Sequence, residues 1–253
     1  MQKLFLIFSL IFSVGAFSQA RFIESGKIIY ERKIAQITLL ESTQKPGDEN
    51  NIWIEEMKKV APRILTDSFS LHFNNEKSYY AALKESQDKP FLFSILKASQ
   101  DGFVAQDYST QTSSSIRSFF DKSFFIKDSI KSFTWKIGNE VRDIAGFECR
   151  KAITKICDSV VVVAFYTEQI TPSVGPENFT GLPGAILGIA VPRLSLTLFA
   201  TRLELSDGVP GIDEKKIKKL KPTTRTQVNA DILKVVKDWG DKEFELSLWG
   251  LSL

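Results

Sequence analysis

Residues 144–189 read IAGFECRKAITKICDSVVVVAFYTEQITPSVGPENFTGLPGAILGI and carry the strongest β pattern of the chain. Apolar and polar side chains alternate before Cys157-Asp158-Ser159, and a run rich in valine follows it, which predicts two strands, 146–156 and 160–167. The run from Val160 to Val163 is apolar on both faces. We therefore expect the second strand to lie centrally in a sheet and to be covered on both sides.

The next segment, 179–200, resembles a membrane span because it carries a single charge, Arg193. However, Gly and Pro interrupt it, and Leu194, Leu196 and Leu198 alternate with polar residues, a pattern that a transmembrane helix does not need. The segment predicts a loop, a strand, a turn near Pro192-Arg193 and a second strand.

The loop contains the tetrapeptide Gly181-Leu182-Pro183-Gly184. Pro183-Gly184 predicts a type II turn with a positive φ at Gly184, and Gly181 permits close backbone approach. Leu182 and Ile186 would anchor the loop in the core. In the alternative interpretation, the loop forms the lip of a binding groove, and Gly181, Leu182, Pro183 and Gly184 are the candidate binding residues.

The remaining sequence predicts further strands and a few helices. Strands are expected at 26–33, 69–73, 78–83 and 133–137, a hairpin tip at 121–123, a turn at Gly138-Asn139, and helices at 52–60, 90–98 and 227–239. The last helix should end at Gly240 and cover the central strand. The predicted architecture is mainly β (α+β), a curved antiparallel sheet or half-barrel with a few helices, at least one of them a C-terminal helix that covers it.

The first twenty residues have the layout of a secretory signal peptide. Lys3 gives a basic start, Leu4 to Phe17 is mostly apolar, and Ser18-Gln19-Ala20 places small residues before a cleavage site. We expect cleavage near Ala20, a periplasmic or secreted protein, and a single β-rich domain over 21–253. The alternative is an uncleaved anchor, for which the apolar run is short.

The charge balance and the motif content of the chain limit the classes of partner and cofactor that we expect. The chain has 33 Lys and Arg against 30 Asp and Glu, a balance that does not favour nucleic acid. We do not expect an integral membrane protein, because Gly and Pro interrupt the segment 179–200 that resembles a span. We expect no cofactor, because no phosphate-binding glycine loop and no zinc motif occurs. The basic run 213–221 is interpreted as a solvated face.

Two cysteines, Cys149 and Cys157, are present. A strand over 147–156 would separate their Cα atoms by roughly 26 Å, whereas a disulfide needs about 5.5–6 Å. We expect no bond between them; a bridge would require a bend or bulge in the strand.

The stretch 144–189 resembles the GLPGLI family, small exported proteins of gram-negative bacteria. The elements that carry the resemblance are Gly146-Phe147, Cys149, Lys151-Ala152, Phe165-Tyr166-Thr167, Gly175-Pro176, Phe179 and the hexapeptide Gly181-Leu182-Pro183-Gly184-Ala185-Ile186. Ala185 replaces the usual Leu, and Phe165 stands where Trp is common. The resemblance implies an exported β-rich protein and no defined activity.

Candidate catalytic residues are few. The chain has one histidine, His72, on the polar face of its strand, so we interpret it as a surface residue, although a Ser–His–Asp triad built from distant residues stays open. Cys149 as a nucleophile would need His72 as its partner. Glu168 and Glu177 flank the predicted loop and could form a glycosidase-like carboxylate pair, but we interpret them as solvated charges.

Two short patterns, Asp128-Ser129-Ile130 and Asp158-Ser159-Val160, fall in predicted turns and resemble O-glycosylation sites. The sequence leaves two hypotheses. The first is a non-enzymatic binding protein whose aromatic-rich sheet takes an apolar ligand or an outer-membrane or envelope partner. The second is an envelope hydrolase that uses scattered carboxylates.

Overall fold

The computed structural model describes residues 22–43, 52–84, 102–119, 122–236 and Trp249. The predicted signal peptide and the predicted helix at 90–98 lie outside these residues. Twelve strands form one large, open, curved sheet, as the sequence predicts, and four helices accompany it.

The first half of the chain forms six strands that alternate in direction, with two short helices between the first and the second strand. They are β1 (Gly26–Ala35), α1 (Gln36–Thr43), α2 (Ile52–Val60), β2 (Ile64–Phe73), β3 (Lys77–Lys84), β4 (Phe103–Asp107), β5 (Thr112–Phe119) and β6 (Lys122–Ser129). The predicted helix at 52–60 and the predicted hairpin between β5 and β6 are confirmed.

The second half completes the sheet and ends in a helix. It contains β7 (Lys136–Ile144), β8 (Phe147–Ile156), β9 (Val160–Thr167), β10 (Ala185–Val191), a 3₁₀ turn (Pro192–Leu194), β11 (Leu196–Glu204), α3 (Glu214–Ile217), β12 (Pro222–Thr223) and α4 (Arg225–Val236). The predicted strand, turn and strand after the glycine-rich loop are therefore confirmed.

The strand order is β12-β6-β5-β4-β3-β2-β1-β11-β10-β9-β8-β7. All neighbours are antiparallel except β12 and β6. The chain thus builds half of the sheet outward from β2 to β6, and β11 returns beside β1 to join the two halves. This pairing places β1, the first strand of the sequence, near the middle of the open sheet.

One face of the sheet, called the inner face here, carries most of the core. Tyr30 lies opposite Phe69, and Leu71 lies opposite Tyr80, so the period of two places these side chains on one face. The same alternation continues through Val104 to Ser115 and Arg117 on β5. The inner face packs against α1 and against the loop after β9, whose Val174, Phe179 and Leu182 join the same buried cluster.

Three predictions about the strands are wrong in detail. Of the predicted strand 133–137 only Lys136 and Ile137 lie in a strand, and Gly138-Asn139 lies inside β7, where the register shifts, whereas the chain turns at Ala145-Gly146. β9 is an interior strand, third from the β7 edge, but Val161 is 38% exposed, so the strand is not covered on both sides.

The helix α4 is present but does not cover β9. Val228 and Ile232 pack instead on Phe119, Phe124 and Ile126 at the other end of the sheet. Only part of the expected apolar face is buried, since Val235 is 53% exposed. The predicted end at Gly240 lies outside the described residues. Periodicity alone gives no information about which strand such a face contacts.

Candidate functional site: the loop after β9 and a basic cleft

The loop that joins β9 to β10, residues 168–184, lies against the inner face and is mostly buried. Leu182 is 2% exposed and Val174 is completely buried, as is Ile186 at the start of β10. Of the four candidate binding residues, Leu182 and Gly184 are buried, and Gly181 and Pro183 are exposed. The predicted apolar anchors, Leu182 and Ile186, are thus confirmed as buried.

The turn at Pro183 differs from the predicted type. The Gly184 N–H donates to the carbonyl of Leu182 at 2.8 Å, while the Ala185 N–H donates to Ile170 at 3.0 Å. A bond from residue i+2 back to residue i is a γ-turn centred on Pro183, not a type II turn. The type II prediction is wrong because the Ile170 carbonyl, in the same loop, accepts the Ala185 N–H that a type II turn would direct to the Leu182 carbonyl.

The positive φ predicted for Gly184 is confirmed, with a value of +132°. A Cβ atom there would lie 2.1 Å from the Thr167 carbonyl oxygen, which is too close for a carbon and an oxygen that are not bonded to each other. Gly181 has a φ of +90°, but its added Cβ would make only an ordinary contact with Trp135. The close backbone approach that the sequence analysis expected at Gly181 therefore occurs at Gly184.

Glu177 is buried in this loop, which contradicts its interpretation as a solvated charge. Its side chain is 8% exposed and one oxygen lies 2.7 Å from an Nη atom of Arg117. Its φ is +57°, a conformation that costs free energy in a residue other than glycine. The ion pair ties the middle of the loop to β5 across the inner face. Glu168, in contrast, is exposed.

A second buried ion pair lies on the same face. Arg32 on β1 donates to Asp67 on β2 at 2.6 Å, with side chains 5% and 0% exposed. Between the two pairs lies Tyr80, whose hydroxyl has no hydrogen-bond partner. Burial and the charge of Glu177 raise the pKa of Tyr80 well above its ordinary value, which keeps this phenol neutral.

Three aromatic rings fix the rim of the loop. Phe133 and Phe179 have ring centroids 5.0 Å apart, and Trp135 lies 6.3 Å from Phe179. The Trp135 indole N–H donates to the Thr180 carbonyl at 2.8 Å. The loop and the segment 131–135 therefore fill the aromatic surface that the sequence analysis expected a ligand to occupy.

A cleft of about 530 Å³ opens beside that segment, against the end of β8. Its charged lining consists of Lys131, Lys136, Lys155 and Asp158, and its apolar lining of Phe133, Ile153 and Ile156. The Thr154 hydroxyl donates to the Thr134 carbonyl at 2.9 Å, which fixes one wall to the other. We call this feature the basic cleft, because lysine outnumbers aspartate in its lining.

Lys131 is the most perturbed cation of the basic cleft. Its Nζ lies 5.0 Å from the centroid of Phe133. Burial, together with the nearby charges of Arg225 and Arg117, lowers the pKa of Lys131 to about 8. Lys131 could not be recognised from the sequence, because its low pKa depends on burial and on two arginines that are distant along the chain. Neither can be read from Lys131 and its neighbour Ser132.

The two cysteines and the histidine do not form a catalytic pair. Cys149 is completely buried in β8, and burial raises the pKa of its thiol to about 12, so it is a poor nucleophile. Cys157 is exposed in the turn after β8, and neither thiol is in a disulfide. His72 lies on β2, and four strands separate it from β8 in the sheet.

His72, which the sequence predicts to be a surface residue, is half-buried. Burial, followed by the charge of Lys27, lowers its pKa, and the Gly208 carbonyl accepts a hydrogen bond from the ring. Its Nδ1 has no partner. A catalytic triad would require a carboxylate hydrogen-bonded to this ring, whereas the ring's hydrogen bond goes to a backbone carbonyl.

Among the described residues, no group of three or more His, Cys, Asp or Glu side chains is arranged to hold a metal ion. The described helices are also too short or too polar to cross a membrane. Asp158-Ser159 lies in an exposed turn, as predicted. Asp128-Ser129 ends strand β6 instead of lying in a turn, and the Asp128 carboxylate accepts from the Arg225 N–H at 3.3 Å.

Comparison with known proteins finds one family model that is similar to the segment containing the loop. Residues 154–188 match a family described as "Protein of unknown function (Porph_ging)". The matched residues run from β8 through β9 and the buried loop into β10, the region that carries the resemblance noted above. The match covers less than half of the chain and does not establish the GLPGLI name. No curated protein matches this sequence.

Among solved structures, two crystal forms of PNGF-II share the fold. The C2 form has a TM-score of 0.50 at 14% identity and covers 79% of this chain and 31% of PNGF-II. The P2₁ form has a TM-score of 0.51 at 14% identity and covers 83% and 33%. The chain therefore spans about a third of the length of PNGF-II, and at this identity the likeness shows a common fold alone.

Proposed function

We propose that the protein is exported and acts in the cell envelope as a non-enzymatic binding protein for an apolar ligand that carries an anionic group. The N-terminal basic, apolar and small-residue series supports export. The observation that carries the binding proposal is the basic cleft, where three lysines surround an apolar wall of Phe133, Ile153 and Ile156.

The chemistry of the cleft selects this ligand class. An apolar chain gains free energy by burial against Phe133 and Ile153, which are partly exposed, whereas Ile156 is already buried. A carboxylate, sulfate or phosphate group would interact favourably with Lys131, whose amine is already partly desolvated beside Arg117 and Arg225. A charged hydrogen bond in such surroundings is stronger than one in open water. A neutral ligand of the same shape would lack this contribution.

The carboxylates named as a hydrolase pair support the binding proposal indirectly. Glu177 is ion-paired with Arg117 and buried, whereas Glu168 is exposed at the start of the loop. A pair of glycosidase carboxylates has to face one substrate from two sides. Glu177 is held by the loop against β5 instead.

The test uses a fluorescent fatty acid, 11-(dansylamino)undecanoate, and its uncharged amide. We expect the protein to bind the acid about tenfold more tightly than the amide. The triple variant Lys131→Gln, Lys136→Gln, Lys155→Gln should abolish this preference. A matched triple variant of the exposed residues 215, 218 and 219, Lys215→Gln, Lys218→Gln, Lys219→Gln, removes the same charge and should retain it.

Equal affinity for the acid and the amide, or equal losses in the two triple variants, would refute the binding proposal. The export proposal is checked separately, by N-terminal sequencing of the protein from a periplasmic fraction. We expect it to begin at Arg21 or a neighbouring residue, and a chain that retains Met1 would refute export with cleavage.

A further inference from the structure

A second cleft, of about 330 Å³, lies at the opposite end of the β8–β9 pair from the basic cleft. Its polar lining is Glu148, Arg150, Tyr166, Thr167, Glu168 and Gln169. We call it the tyrosine cleft. It shares no residue with the basic cleft, and nothing in the proposed function uses it.

Strand geometry explains why these side chains converge. Glu148 and Arg150 are two residues apart on β8 and therefore point to the same face. Tyr166 on β9 lies directly opposite Arg150 in the register, where side chains of neighbouring strands approach to roughly 5 Å. Glu168 follows two residues after Tyr166, at the point where the chain leaves the strand. Two carboxylates, a guanidinium and a phenol thus meet without any contribution from the loop's buried core.

Most of the hydrogen-bonding groups of this cleft have no partner among the described residues; the exception is the Thr167 hydroxyl, which accepts from the Gln169 backbone N–H at 3.3 Å. Tyr166 is only 1% exposed, and its hydroxyl has no hydrogen-bond partner. Within the described part of the chain, Glu148, Arg150 and Glu168 form no ion pair. A buried hydroxyl without a partner costs free energy, so Phe would be the more stable residue at position 166 if this position served packing alone.

We propose that the tyrosine cleft binds a small polar ligand that presents an ammonium group beside oxygen acceptors. Glu148 and Glu168 supply two negative charges for the ammonium group. Arg150 and the Tyr166 hydroxyl donate to the oxygen acceptors, and Gln169 can do either. The excess of carboxylates over the single guanidinium makes a cationic or zwitterionic ligand fit better than an anionic one.

This chemistry is found in amino sugars and in free amino acids, and the experiment separates the two. Isothermal titration at mildly acidic pH uses D-glucosamine and L-serine as the two candidate types. D-glucose, which has the hydroxyl groups without the amine, is the control ligand. We expect at least one of the two amines to bind, and to bind at least about tenfold more tightly than glucose.

Tyr166→Phe is the decisive variant. We expect its melting temperature to equal or exceed that of the wild type, and its affinity for the amine to fall about tenfold. Tyr80→Phe is the matched control, because Tyr80 is likewise buried with an unpartnered hydroxyl but lines neither cleft. That control should leave the affinity unchanged. The double variant Glu148→Gln, Glu168→Gln should remove the preference for the amine over glucose.

Several outcomes would overturn the proposal. These are binding of neither amine, equal affinity for amine and glucose, or full affinity in Tyr166→Phe. Cleavage of a glycoside of glucosamine at the same cleft would make the site catalytic and would also contradict it. The lysine variants of the basic cleft should leave amine affinity unchanged, so this proposal and the proposed function can fail independently.

Discussion

Glu168 and Glu177 lie in the same loop, yet the fold treats them in opposite ways. Glu168 is exposed and lines the tyrosine cleft. Glu177 is buried, adopts a positive φ and forms an ion pair with Arg117. The middle of the loop is therefore held against the inner face and stabilises the fold, whereas its first residues are accessible to solvent. A sequence pattern of two glutamates in a Gly- and Pro-rich segment gives no information about this division.

The largest loss of stability should come from Gly184→Val, because Gly184 is the point where the loop packs against the backbone of β9. A Cβ would collide with the Thr167 backbone, and the φ of +132° adds strain. We expect a loss of at least about 3 kcal/mol in the free energy of unfolding, measured by denaturant melts. Gly208→Val, where an added Cβ meets nothing within 4 Å, should change it by less than about 0.5 kcal/mol. Superimposable melts for the wild type and Gly184→Val would instead favour the binding-lip interpretation.

Replacing each glutamate by Ala tests the comparison directly. Glu177→Ala leaves the Arg117 guanidinium partly buried without its carboxylate, and we expect it to cost about 2–4 kcal/mol. Glu168→Ala should cost less than about 0.5 kcal/mol. The free energies of unfolding of the two variants, measured side by side in urea, provide the check. Equal values would show that the Arg117 ion pair does not hold the loop.

Lys131→Met should have a smaller effect and the opposite sign. The pKa of Lys131 is about 8 in the folded protein, against an ordinary value of 10.5. Folding is therefore disfavoured while the amine is charged in both states, below about pH 8, and this penalty fades as the pH rises towards 10.5. We expect the variant to be more stable than the wild type by about 1–2 kcal/mol at pH 7.

That advantage should shrink between about pH 8 and 10.5, because the wild-type amine loses its proton near pH 8 in the folded protein but only near pH 10.5 in the unfolded chain. Above pH 10.5 the amine is neutral in both states and the penalty is gone. Melts of both proteins over this pH range measure it. An advantage that is independent of pH would mean that Met stabilises the protein by packing and not by removing a desolvated charge.

The smallest effect on stability should come from Cys157→Ser, whose side chain is exposed, with a change below about 0.5 kcal/mol. The same comparison of buried and exposed groups predicts its reactivity. A thiol reagent should label Cys157 in the folded protein, while Cys149 should react only after unfolding, since it is buried with a pKa of about 12. Labelling of the unreduced, unfolded protein should find two thiols. Finding none would indicate a disulfide.

The sequence determined the type and position of most elements. Alternation with a period of two located β8, β9, β10 and β11, and an amphipathic nonapeptide located α2 with its bounds. Glycine at a position that needs a positive φ identified Gly184. These predictions succeed because they depend on side chains close in sequence, whose spacing is fixed by the geometry of a strand, a helix or a turn.

The contacts of each element, in contrast, follow from the three-dimensional fold. The packing of α4 on β6, the γ-turn at Pro183 and the burial of Glu177 beside Arg117 all depend on partners far away in the sequence. The same holds for both clefts, because Lys131 acquires its low pKa from Arg225 and Arg117, and Tyr166 meets Arg150 through the strand register. The physical reason is that burial and the distance between charges are properties of the folded protein. The order of residues along the chain does not show either one before the loop has packed on the sheet.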